Sequence, residues 1–230
     1  MPRRPRLELP GVPLHVTQRG VNRCATFLDD DDRMHYLRLL REKSGKLQVK
    51  VHAYVLMDNH VHLLLSSDIS GAISRMMKQA GQNYVASFNH RHQRTGTLWE
   101  GRFKSCLVDS EAYLFTVYRY IELNPVRAAM VDDPEGYVWS SVHANLGTRR
   151  DPLVSPHEAF MAMAADVPQR ADAYRAWLRA GVNDTDVQRI RQHLQQERAL
   201  GSPRFQSMVE KTLGRPATVR TSGRPRREQC

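Results

Sequence analysis

The chain has 230 residues, 41% hydrophobic and 25% charged, with 34 Lys and Arg against 24 Asp and Glu for a net charge of +10. That supports one large core, or a medium domain with an appendage, and the basic excess points to a polyanion partner, most simply nucleic acid, although solubility alone would also account for it. No apolar segment follows the basic start Met1-Pro2-Arg3-Arg4-Pro5-Arg6, no stretch is long enough to span a bilayer, and Cys24, Cys106 and Cys230 are odd in number and too scattered for a zinc knuckle. The expectation is a soluble cytoplasmic protein with reduced thiols.

Residues 14–18 read as a first strand closed by the turn-prone Arg19-Gly20-Val21-Asn22. Four acids, Asp29 to Asp32, open a helix to about Lys43, where they compensate the helix dipole rather than bind a cation. Residues 49–56 alternate as a strand, Asp58-Asn59 turns, and 60–65 return as the hairpin partner. Ile73, Met76, Met77, Ala80, Tyr84 and Phe88 recur at helical spacing as a core stripe, and 102–108 form a fourth strand. The order β-α-β-β-α-β is ferredoxin-like and the fold class α+β.

Asp109 or Ser110 can cap the next helix, whose apolar stripe is Leu114, Val117, Tyr118 and Ile121. Tyr120 and Asn124 share a neighbouring face one turn apart, with Tyr113 close to it, so Tyr120 is expected to be a partly exposed phenol beside an amide. Asn124 also precedes Pro125, a pairing that starts short helices, and the two roles are compatible. Residues 147–152 read as a linker, dividing the chain into 1–146, a helical 147–213 and a basic, disordered tail 214–230. Residues 187–200 and 204–213 suit either a helix-turn-helix or a plain helical hairpin.

The sharpest chemical signal is His60-Val61-His62 within the apolar run 54–65. A strand sends alternate side chains to opposite faces, so the two imidazoles point one way, about 7 Å apart along the strand, while Val61, Leu63 and Leu65 anchor the other face. Two such histidines can close on one metal ion, with further ligands coming from elsewhere. A second pair, His90 and His92, lies among arginines and reads as solvated or phosphate-facing. Trp99 either stacks on a base or joins the core.

Four segments together carry a resemblance: 14–20 (LHVTQRG), 54–65 with its His-Val-His, 101–104 (GRFK) and 119–127 (RYIELNPVR). In this order they resemble the REP-associated tyrosine transposases, of the single-tyrosine HUH group, over about residues 7–130; the Gly-Arg-Pro tail is similar too. The resemblance implies a ferredoxin-like nuclease and strand transferase acting on single-stranded DNA with hairpins of repetitive palindromes. Mg²⁺ or Mn²⁺ would be held by His60, His62 and Asn124, and Tyr120 would attack phosphorus, leaving a 5′-phosphotyrosine and a free 3′-hydroxyl. Related insertion-sequence transposases carry Gln where this chain has the shorter Asn124.

A free tyrosine has a pKa of about 10, so only ~0.3% is phenolate near pH 7.5. A divalent cation bound by neutral ligands keeps its Lewis acidity for the scissile phosphate, and the covalent ester conserves bond energy for rejoining. DNA contacts are expected from Arg3, Arg4, Arg6, Arg19, Arg23, Arg91, Arg94, Arg102 and Lys104, and from Arg224 and Arg226 in a Gly-Arg-Pro-Arg that suits a minor groove or a generic basic tail. The protein would be a monomer or homodimer associated with the nucleoid. Rival readings are a His-x-His zinc hydrolase, with Tyr120 only structural, and a catalytically idle DNA-hairpin-binding protein.

Overall fold

A computed structural model describes residues 5–220; Arg3, Arg4, Arg224 and Arg226 lie outside the described residues. The elements run β1 (Leu14–Arg19), α1 (Asp30–Leu47), β2 (Lys50–Leu56), β3 (His60–Ser66), α2 (Ala72–Arg91), β4 (Lys104–Val108), α3 (Leu114–Glu122), α4 (Asn124–Arg127), α5 (Val142–Asn145), α6 (Glu158–Met161), α7 (Val167–Arg179), α8 (Asp184–Gln196), β5 (Ala199–Leu200) and α9 (Pro203–Leu213). The sheet order is β2-β3-β1-β4-β5, with the first four antiparallel to their neighbours and β5 parallel to β4. This is the expected β-α-β-β-α-β frame with one short strand added.

Strand alternation divides the interior into two cores. Leu14, Val16, Val61, Leu63 and Leu65 face α1 and α2, where they meet Tyr36, Leu40, Met76, Met77 and Tyr84. Ala53, Val55, Leu64 and Cys106 face the other way, onto Val117, Tyr118 and Ile121 of α3 and, beyond it, Phe160 and Tyr174. The chemistry-bearing residues of β1 and β3 lie on the α3 side. Asp29 caps α1 by accepting from the amide of Asp32, and Arg91 ties α2 back to Asp29, Asp31 and Asp32. The acidic run therefore pins two helices together besides facing a helix dipole.

Three expectations are corrected. The helix after β4 begins at Leu114, not at 109 or 110, because Asp109 is already committed: its amide donates to Leu200 O and its Oδ2 accepts from Ser202 N and Oγ at 3.1 and 2.9 Å. Residues 187–213 are neither a helix-turn-helix nor a hairpin, since β5 joins the sheet between α8 and α9. His92 is neither solvated nor phosphate-facing: its Nε2 sits 3.0 Å from both Asp32 oxygens and its ring packs on Phe88.

Candidate active site

The register of β1 on β3 places Thr17 opposite His62 and Arg19 opposite His60, so two neighbouring strands present these side chains together. The His60 and His62 rings are 5.1 Å apart between centroids and nearly perpendicular. Behind them the hydrogen bonds fix orientation. Asn59 Nδ2 donates to Arg23 O at 3.2 Å, which turns Asn59 Oδ1 toward His60 Nδ1 at 2.7 Å. The proton of His60 then sits on Nδ1, and Nε2 keeps its lone pair. His62 Nδ1 lies 3.0 Å from His15 Nε2, which leaves His62 Nε2 for the open side.

Both imidazoles are held neutral. Burial, then repulsion by Arg19, pushes His60 down to about 4, and burial, then His15 and His60, drives His62 well below the usual range. His15, fully enclosed, falls to about 3 through burial alone. Neutral imidazole is the form that binds metal.

Tyr120 points from α3 into the angle between these rings, edge-on to His62 at 5.4 Å and to His15 at 5.7 Å. It is only 4% exposed, where the helix face alone suggested partial exposure, because β1 and β3 cover the ring. Its hydroxyl makes no hydrogen bond to a described residue. Asn124, one turn on, is the first residue of α4 rather than its cap, which is Leu123, and its Nδ2 lies 3.4 Å from Tyr120 O. Its Oδ1 has no partner among the described residues, and the Arg127 guanidinium lies 5.6 Å from the Tyr120 ring centre.

These groups line one cleft of about 740 Å³. Thr17, Arg19, His60, His62 and Lys104 come from the sheet, Arg102 from the approach to β4, Tyr120, Asn124 and Arg127 from α3 and α4, and Arg191 and Gln195 from α8. Glu100 is the sole acid in a lining that holds five arginines and lysines. The cleft suits a polyanion. No group of three His, Cys, Asp or Glu that could hold a metal occurs among the described residues. The donor set is two imidazole nitrogens and one amide oxygen, three neutral ligands that would leave positions on a six-coordinate ion open to phosphate oxygens and water. A closed zinc site would need a further protein ligand.

Other expected contacts lie elsewhere. Arg6 donates to Phe103 O, packs over the Phe103 ring and pairs with Glu197 at 3.7 Å, so it is committed. Arg23 is exposed in the turn after β1, and its carbonyl anchors Asn59. Arg91 is taken by three carboxylates, Arg94 lies over Phe88, and Trp99 is core. Tyr113 packs with Arg189, outside the cleft lining. Sequence reasoning missed His15, Arg127, Arg191 and Gln195. Arg191 and Gln195 stand one turn apart, off the Val187-Ile190-Leu194 stripe, which marks an exposed face without saying what it faces.

Residues 11–124 match the model of the family described as Transposase IS200 like. This chain belongs to the IS200-like transposase family. It is accordingly a DNA-processing protein of the transposase class, and no helix among its described residues is long and apolar enough to cross a membrane. A solved REP-associated tyrosine transposase bound to a REP hairpin is similar in fold, at 17% identity and TM-score 0.52, covering 68% of this chain and 93% of that one. A candidate transposase from Deinococcus radiodurans aligns at 18% identity over 53% of this chain and 96% of that one, with a TM-score of 0.38, too low to bear on the argument. No curated protein matches the transposase.

Proposed function

We propose that this transposase cuts and rejoins single-stranded DNA beside a hairpin of the repetitive-palindrome kind, through a covalent bond between Tyr120 and a 5′-phosphate. The observation that carries the reading is the convergence of Tyr120, His60, His62 and Asn124 in one basic cleft. The hairpin bound to the similar structure supports the substrate class.

His60 Nε2, His62 Nε2 and Asn124 Oδ1 are the atoms that would hold Mg²⁺ or Mn²⁺. When bound, the ion would supply Lewis acidity to the scissile phosphate and to the departing 3′-oxygen. The chain's own part is positional. The Tyr120 hydroxyl, without a hydrogen-bond partner among the described residues, would be the attacking group from the cleft wall that Tyr120 lines. Its oxygen forms the bond to phosphorus, the P–O3′ bond breaks, the phenol proton passes to solvent, and the 3′-oxygen takes up a proton. Arg19, Lys104 and Arg127 offset the phosphate charge, and burial of the Tyr120 ring limits its motion.

Incubating the full chain with single-stranded oligonucleotides carrying hairpins from repeats near its gene, plus Mn²⁺, should give a covalent adduct. Tyr120→Phe should abolish it with hairpin affinity within about twofold, while Tyr113→Phe and Tyr118→Phe retain it. Adduct mapped to another tyrosine would overturn the assignment. Tight binding without any adduct would favour an idle hairpin-binding protein, and stoichiometric zinc with no DNA cutting would favour the hydrolase.

A further inference from the structure

We infer that α8 holds the scissile DNA strand in place, with Arg191 gripping a backbone phosphate and Gln195 the adjoining sugar or base. The inference rests on the DNA-cutting reading above and adds a strand-positioning element from outside the 11–124 family region.

The first observation is placement. Arg191 and Gln195 line the same cleft as Tyr120 and the two metal-facing histidines, although α8 begins 60 residues after the end of the family match, at Asp184. Both are exposed, while Val187, Ile190 and Leu194 of the same helix are buried. Residues one turn apart project side by side, about 5–6 Å between their Cβ atoms, which lets them grip neighbouring groups of one strand.

The second observation is that the helix is locked. At its start Asn183 accepts from the Asp186 amide; at its end Arg198 N donates to His193 O, and the chain runs directly into β5, paired with β4 at Leu107 and Val108. With its Val187, Ile190 and Leu194 face buried, α8 presents Arg191 and Gln195 from a fixed backbone.

The third is chemical. The Arg191 guanidinium makes no hydrogen bond or ion pair to a described residue, whereas Arg33, Arg91 and Arg175 all have carboxylate partners. An unneutralised guanidinium lining a cation-rich cleft is suited to two parallel bonds with a phosphate. Glutamine can donate to a phosphate or sugar oxygen or read a base edge.

The test uses the full chain in a Tyr120→Phe background, with EDTA, and a fluorescent hairpin oligonucleotide carrying a single-stranded flank. Arg191→Ala should weaken binding about 10-fold at moderate salt and reduce the salt slope by about 0.7, the value of one single-strand phosphate contact. Arg191→Lys should recover part of the loss, and Gln195→Ala should lose about 3-fold with the slope unchanged. Arg179→Ala, which removes the same charge from an exposed position of α7 outside the cleft, should change neither. Removing the single-stranded flank should erase the difference between Arg191→Ala and the parent. Equal affinity and slope for Arg191→Ala and the parent, or an equal loss from Arg179→Ala, would overturn the inference and leave the cutting reading intact. Failure of the parent to bind any single-stranded hairpin would instead sink both.

Discussion

His60 and His62 could be found in the sequence because strand alternation is local, but what holds them is not. His15 reaches His62 only through the β1–β3 register, and no pattern within either strand announces that pairing. For His62 to offer a lone pair at Nε2, its Nδ1 must donate to His15 Nε2, which leaves the buried His15 Nδ1 with no partner. An unmet buried polar atom costs about 1–3 kcal/mol. His15→Leu is therefore expected to lower Mn²⁺ affinity about 10-fold, the range seen when a partner behind a metal-bound histidine is removed, while leaving Tm unchanged or higher. Calorimetric Mn²⁺ titration and a thermal melt check the two halves; unaltered Mn²⁺ affinity would show that His15 only fills space. Tyr120 teaches the same lesson in reverse. Its helical position was legible, but its exposure was set by β1 and β3 laid across it, which helix spacing does not encode.

Among the elements, β1 to β4, α1 and α2 follow from periodicity, since each buries one strand face or one helical stripe. The C-terminal half does not read this way. Asp109 looks like a helix cap, yet Ser202, distant in sequence, claims its carboxylate, and a strand of two residues has no period to detect. That junction is tight. A Cβ on Gly201 would stand 2.6 Å from Asp109 Cβ and would also run into the Phe205 ring. Gly201→Ala should cost about 1–3 kcal/mol, as overpacking does, and loosen β5 from β4. Urea unfolding measures the cost, and amide exchange at Ala199 and Leu200 should quicken more than exchange in β1. A neutral substitution would mean that the junction yields freely.

At the scale of the molecule, one buried carboxylate adds a polar tie between α3 and the layers outside it, beside the apolar packing of Tyr118 on Phe160 and Tyr174. Glu122 is fully buried and accepts from Ser141 Oγ, from Asn145 Nδ2 at 2.6 Å and from Tyr174 OH at 2.7 Å, linking the tyrosine-bearing helix to α5 and α7. Burial raises it to about 7, although the three donors act in the opposite sense. A raised carboxyl binds its proton more tightly folded than unfolded, so its stabilisation is complete below about 4.5 and is lost as pH rises through about 7. The span is worth roughly 3 kcal/mol. Glu122→Gln lacks the titration while keeping one oxygen for Ser141 and Asn145. Its stability relative to the parent should therefore rise by up to roughly 3 kcal/mol between pH 4.5 and 7.5 in parallel urea titrations. A difference that stays flat with pH would show that Glu122 titrates normally.

The Arg215 guanidinium donates to Pro5 O at 2.6 Å, so the two outermost stretches of the described chain touch although they are 210 residues apart. The described chain therefore returns to its own beginning near residue 215. A circular permutant with residues 5 and 220 bridged by a flexible peptide long enough to span them, and the backbone opened within the exposed turn 147–150, would cut no strand ladder. Translated that way, α8 and β5 would emerge from the ribosome before β1 rather than after it, and the cleft would be assembled from the opposite direction.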